Sequence, residues 1–142
     1  GCTFDGYFCD FDRNYALQKA DDDVRNAYRV VYQATDAGLE AAIPGNTAAD
    51  VFRAMNRVLE TNGAKGGQVG RMGHGLGMQL TEWPSNAVFD NPVLENGMVL
   101  TLEPGMQFGE NKIMVHEENL FIREEGPQLL TRRAPEELPV IS

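Results

Sequence analysis

Six glycines crowd the twelve positions from Gly66 to Gly77: Gly66, Gly67, Gly70, Gly73, Gly75 and Gly77. No helix survives that density, because each glycine in a helix interior costs about 1 kcal/mol relative to alanine. The segment, which starts at Lys65, therefore divides the chain. Val69, Met72, Leu76 and Met78 are interleaved with the glycines. That argues against a loose linker and for ordered backbone in tight quarters. His74, one of only two histidines, sits in the middle of it.

Upstream, the pattern is a hairpin followed by two helices. Asp5-Gly6 is the favoured centre of a two-residue hairpin turn. Residues 1–4 and 7–17 read as its strands, with Phe4, Tyr7, Phe8, Phe11 and Tyr15 suited to them. This register sets Phe4 opposite Tyr7 and Cys2 opposite Cys9. Both are hydrogen-bonded pairs, where disulfide geometry is poor, so two free thiols in a cytosolic protein are expected. Asp21, Asp22 and Asp23 favour a helix N-terminus, and Val24, Tyr28, Val31, Thr35 and Leu39 approximate the helical period. Pro44-Gly45 stops that helix. Thr47 and Asp50 form a capping box for a second helix, with Val51, Met55, Val58 and Leu59 as its apolar stripe and Asn62-Gly63 at its end.

Downstream, Met98 to Leu102 and Lys112 to Arg123 read as strands, with a Glu-Pro-Gly turn after the first. A short strand, Gln128 to Thr131, precedes a Pro-rich tail. Strands, two helices and strands again make an α+β layout, with helices covering one face of a mostly antiparallel sheet. With 142 residues and 42% hydrophobic content, one globular domain is expected. No apolar run approaches the eighteen or so residues of a membrane span. The net charge of −9, with basic residues scattered, speaks against nucleic acid or an anionic membrane as partner. The chain opens in mid-pattern, without an initiator Met or a signal segment, and reads as a fragment.

Four polar residues occupy places where a strand would rather hold something apolar. Asp10 lies in the aromatic strand, His74 among glycines, Glu103 at the end of Met98–Leu102, and Glu117 inside Ile113–Ile122. A carboxylate buried without a partner costs several kcal/mol. Three carboxylates and an imidazole suit a divalent metal, Mn, Fe, Co or Zn. Read without a family, the same four could be unrelated polar residues at strand edges.

Motif by motif, the chain resembles the pita-bread family of creatinases, aminopeptidases P and methionine aminopeptidases, and Xaa-Pro peptidase-like members above all. Gly1-Cys2 through Asp10-Phe11-Asp12-Arg13 is similar to Asp-x-Gly-Ala-…-Gly-Tyr-x-x-Asp-x-Thr-Arg. Gly73-His74-Gly75-Leu76-Gly77 resembles Gly-His-Gly-Ile-Gly. Thr101-Leu102-Glu103-Pro104-Gly105 resembles Thr-x-Glu-Pro-Gly, and Val115-His116-Glu117-Glu118-Asn119-Leu120 resembles Arg-x-Glu-Asp-x-Val. The candidate ligands follow one another at intervals of 64, 29 and 14 residues.

The resemblance implies that residues 1–142 are the C-terminal part of a pita-bread catalytic domain whose N-terminal part is missing. It implies a dinuclear site of five ligands, two metals (Mn, Co, Fe or Zn) per complete site. Asp10 and Glu117 resemble the bridging carboxylates; His74 and Glu103 resemble the ligands completing one metal. The remaining Asp belongs before Gly1, so the fragment alone is expected to hold at most one metal tightly and to be inactive. His74 and Glu103 are also the catalytic candidates, with Glu103 as proton shuttle. The glycines around His74 are expected to let backbone approach the metal closely.

Two departures stand out. Thr81 occupies the place of a substrate-facing histidine, and Val115 replaces an arginine. Thr81 and Glu82 are the substrate-binding candidates, Trp83 is expected to pack, and His116 reads as a strand-edge histidine facing away from Glu117. The implied activity is hydrolysis of a C–N bond in an Xaa-Pro peptide. The alternatives are an amidine or amide hydrolase of the same fold, like the creatine- or ectoine-hydrolysing relatives, and a non-catalytic binding module. The implied partners are a peptide or small amide substrate and, for the full-length protein, a second copy in a cytoplasmic homodimer.

Overall fold

The computed structural model describes residues 1–64 and 70–142; the expectations that fell on Lys65, Gly66, Gly67 and Val69 lie outside the described residues. The chain opens on the expected hairpin, β1 (Cys2–Phe4) and β2 (Tyr7–Cys9), which pairs Cys2 with Cys9 and Phe4 with Tyr7. Asp5 and Gly6 both take positive φ, as the two central residues of a type I′ turn must. Both cysteines are free thiols. Then come β3 (Ala16–Leu17), α1 (Asp22–Ala41), α2 (Ala48–Thr61), β4 (His74–Gly75), β5 (Glu82–Ser85) and β6 (Val99–Leu102). β7 (Gly105–Gly109), β8 (Lys112–Val115), β9 (Glu118–Phe121), β10 (Gln128–Leu129) and β11 (Val140–Ile141) complete the chain.

The main sheet runs β10-β9-β6-β4-β5, each neighbouring pair antiparallel. α1 and α2 pack on each other, and α1 also lies against β6, β7 and β8. Tyr28, Val31 and Thr35 of the expected stripe are buried, while Val24 and Leu39 sit at its half-buried margin. At the start of α2 the capping box closes in both directions: Asp50 N–H donates to Thr47 Oγ1 at 3.2 Å and Thr47 N–H to Asp50 Oδ2 at 2.9 Å. Val30, Val31, Met55, Leu100, Leu102 and Leu120 meet in the core between helices and sheet. Burying each such side chain contributes about 1.5–3 kcal/mol. Among the described residues no helix is long and apolar enough to cross a membrane.

The structure recasts two of the expected strands, each for a tertiary reason. The strand expected over 7–17 stops at Cys9, because side chains from elsewhere satisfy the backbone groups a ladder would have used. Asn119 takes both peptide groups of Asp10, and just beyond it the Asn14 side chain donates to the Val115 carbonyl, holding the segment without a ladder. The strand expected over Lys112–Arg123 is two strands: β8 pairs with β7 and β9 with β6, so the chain changes sheets at His116-Glu117. The Glu-Pro-Gly turn leads straight into β7, and the tail adds β11, parallel to β3.

Candidate metal centre

Each of the four candidates stands where regular structure ends or is interrupted. Asp10 follows β2, Glu103 follows β6, and Glu117 lies in the step from β8 to β9. His74 is in β4, a two-residue strand with a register shift on its β5 side. The fold brings them together. Asp10, His74 and Glu117 each offer a ligand atom within 4.8 Å of the others. Glu103 Oε1 lies 2.8 Å from His74 Nε2, and its carboxyl also faces Glu117.

Glycine on either side of His74 is a steric requirement of the strands around it. A Cβ on Gly73, which has φ +131°, would stand 2.1 Å from the Thr101 carbonyl oxygen; one on Gly75 would stand 2.3 Å from that of Trp83. The close approach is to the strands flanking β4, so the glycines press His74 between β6 and β5. Nδ1 of His74 donates to the Gly75 carbonyl at 2.8 Å, which aims Nε2 into the cluster. Thr101 Oγ1 accepts the His74 N–H at 3.1 Å and donates to Glu103 Oε1 at 2.6 Å.

The electrostatics of the cluster are those of too many carboxylates in too little water. Burial and the neighbouring Glu103, Asp10 and Asp12 carboxylates push Glu117 well above the usual carboxyl range. Burial opposes ionisation of Glu103 as well, yet hydrogen bonds from His74, Thr101 and Glu117 outweigh it and hold its pKa low. Burial likewise works against His74, but its bonds to Glu103 and the Gly75 carbonyl raise its pKa. Asp12 is raised by burial and by Asp10 and Glu103. Glu117 Oε1 is buried without a hydrogen-bond partner among the described residues. A divalent cation fits this donor set. It would neutralise the crowded carboxylates and give Glu117 Oε1 a partner, and the Gly75 carbonyl already orients the imidazole as metal-bound histidines are oriented.

The substrate-side candidates fall differently. Thr81 is exposed, in the turn before β5. Glu82 folds back onto that turn, where its Oε1 accepts the Gln79 N–H at 2.8 Å and its carboxylate closes over Gly77. Trp83, expected to pack, is 66% exposed on β5. His116 does face away from Glu117, but it is a core residue and not a strand-edge one. It is wholly buried beside the Tyr28 and Tyr32 rings. Thr35 Oγ1 spends its hydrogen on the Val31 carbonyl, so His116 Nδ1 donates to it at 2.9 Å. Beside Glu103 opens a cavity of about 470 Å³ lined by Gly70, Arg71, Ser85 and Phe89. Four supporting residues escaped the sequence reading as site residues: Thr101, Asn119, Asp12 and Arg13, which donates to the Glu117 carbonyl at 2.9 Å. All four lay inside quoted motifs, Asn119 at a variable position, and Thr101, Asp12 and Arg13 could have been singled out there.

Residues 1–125 match the model of metallopeptidase family M24. The chain belongs to that family. Among M24 relatives, the Xaa-Pro dipeptidase of Pyrococcus furiosus is 30% identical over 132 residues, covering 93% of this chain and 38% of that protein. The crystal structure of an X-Pro aminopeptidase from Thermotoga maritima superposes with a TM-score of 0.90 at 26% identity, over 99% of this chain and 40% of that one. Dipeptidase PepE from Mycobacterium ulcerans gives 0.88 at 32% identity, over 96% and 36%. The fold is accordingly pita-bread, and the chain spans about two fifths of the relatives it matches.

Proposed function

We propose that the protein is a metal-dependent hydrolase of Xaa-Pro dipeptides and that this chain supplies most of its metal ligands. One observation carries the reading: Asp10, His74 and Glu117 converge within 4.8 Å, with Glu103 on His74 at 2.8 Å. Family membership and the names of the relatives support the substrate class. Asp10, His74, Glu103 and Glu117 would hold a divalent cation. Such a cation, when bound, polarises the scissile carbonyl and lowers the pKa of water. The protein's own groups do the rest. Thr101 and His74 fix the Glu103 carboxylate, which takes a proton from the attacking water and returns it to the leaving nitrogen. That Asp10 and Glu117 would serve both cations of a complete site, manganese as the metal, and a cytoplasmic homodimer belong to the same reading and rest on the family resemblance.

Thr81 favours a second reading. A threonine donates one hydrogen bond but cannot act as an imidazole acid, so a non-peptidase amide or amidine hydrolase on the same fold is the alternative. Turnover of Ala-Pro, ectoine and creatine by the full-length protein with added Mn²⁺ separates the two. Ala-Pro hydrolysis that depends on Mn²⁺ supports the first reading; hydrolysis of ectoine or creatine alone replaces it with the second.

A further inference from the structure

Asp10 stands one residue beyond β2, where the hairpin ladder has ended. Its N–H donates to Asn119 Oδ1 at 3.1 Å, and Asn119 Nδ2 donates back to its carbonyl. A carboxamide offers an acceptor and donors in peptide-like geometry, so it can replace a strand residue in both directions. Asn119 is 2% exposed in β9, and its own backbone is anchored by the Thr131 hydroxyl and the Leu130 N–H.

Directly across the β6–β9 ladder from Asn119 is Thr101. Paired residues of an antiparallel ladder share a face. The Thr101 hydroxyl accepts from His74 N–H and donates to Glu103 Oε1. A single rung thus holds three of the four candidate ligands, which arrive from three distant segments of chain. Asn119 fills the variable position of Arg-x-Glu-Asp-x-Val, so its part in the site comes from this chain's own sequence.

We infer that the Thr101–Asn119 rung is the positioning element of the metal centre, with Asn119 setting where the Asp10 carboxylate stands. This rests on the metal reading above. Removing the Asn119 amide leaves the Asp10 peptide groups unpaired and frees the backbone that carries a ligand. Loss of a residue that orients a ligand typically weakens metal binding about 10–100-fold.

The test is Co²⁺ binding to the full-length protein, measured by competition with a chromophoric chelator and by the visible spectrum of the bound ion. Asn119→Ala and Thr101→Val should each bind Co²⁺ about 10–100-fold more weakly, with an altered spectrum. Thr101→Ser, which keeps the hydroxyl, should restore both. Should Asn119→Ala not fold, the Thr101 pair carries the test. Wild-type affinity and spectrum in the folded variants would overturn the inference while leaving the metal reading intact. A wild-type protein that binds no Co²⁺ would overturn both.

Discussion

Glu117 and Glu118 are consecutive, yet their carboxylates meet opposite electrostatic settings. Glu118, wholly buried, is ringed by donors: Arg13 Nη2 at 2.9 Å, Thr131 Oγ1 at 2.5 Å, the Ala134 N–H at 2.9 Å and Arg133 Nη1 at 3.5 Å. Arg133 continues to Asp36 on α1 at 2.6 Å. Glu117 faces Asp10, Glu103 and His74. One carboxylate is neutralised by the protein; the other is crowded by further carboxylates beside a single imidazole.

The two neutral isosteres should therefore behave differently. Glu118→Gln strips the counter-charge from two arginines, and breaking a buried pair in this way costs about 3–5 kcal/mol. Glu117→Gln should change metal-free stability by less than about 1 kcal/mol. It should, however, reduce the roughly 2.7 kcal/mol that wild type gains with metal at a hundred times its dissociation constant. Urea unfolding with and without Mn²⁺ checks both, and equal losses in the two variants would contradict the contrast.

Glu103→Gln should damage turnover more than metal binding. Asp10, His74 and Glu117 remain as ligands, while an amide cannot carry the proton. The kcat should fall by more than tenfold, over about 1.4 kcal/mol of barrier. A variant retaining more than a tenth of wild-type kcat would remove the shuttle role.

Gly75→Ala tests the steric account of His74. Its new methyl would meet the Trp83 carbonyl at 2.3 Å, a backbone atom that cannot rotate aside. We expect a loss of about 2–3 kcal/mol, as for overpacking in a core. Gly105→Ala meets only the Val115 methyl at 3.7 Å and should stay within about 0.5 kcal/mol. Thermal unfolding of the pair decides; equal melting temperatures would refute the clash.

What was legible in the sequence was what local chemistry or a linear motif encodes. Thr47 and Asp50 sit three residues apart and cap the helix without help from elsewhere, so they read correctly. Asp10, His74, Glu103 and Glu117 were recognisable because each lies in its own motif. The split at His116-Glu117 was not, because both halves carry equally good strand residues and the exchange of partners is a tertiary event. Asn119 escaped for the same reason. Its side chain acts as a piece of backbone for a residue 109 positions away, and no local pattern encodes that. Trp83 was misjudged because bulk favours burial on average, whereas this indole stands 66% exposed on β5.

The capping box also carries a pH signature. The Thr47 hydroxyl, the Arg53 guanidinium and the Thr47 N–H hold Asp50 down to about 2, against an ordinary value of 3.8. A carboxyl depressed in the folded state contributes stability that is fully present above the unfolded value and is lost as pH falls through the folded one. The contribution of Asp50 should therefore persist at pH 6 and disappear between about pH 4 and pH 2. Asp50→Ala should cost about 1 kcal/mol at pH 6, the usual worth of such a cap. Asp50→Asn keeps the shape and removes the titration, so its deficit relative to wild type should shrink steadily as the pH is lowered from 4 to 2. Urea unfolding of the three proteins across that range provides the measurement. A deficit for Asp50→Asn that is the same at pH 6 and at pH 2 would show that the carboxylate charge contributes nothing to the cap.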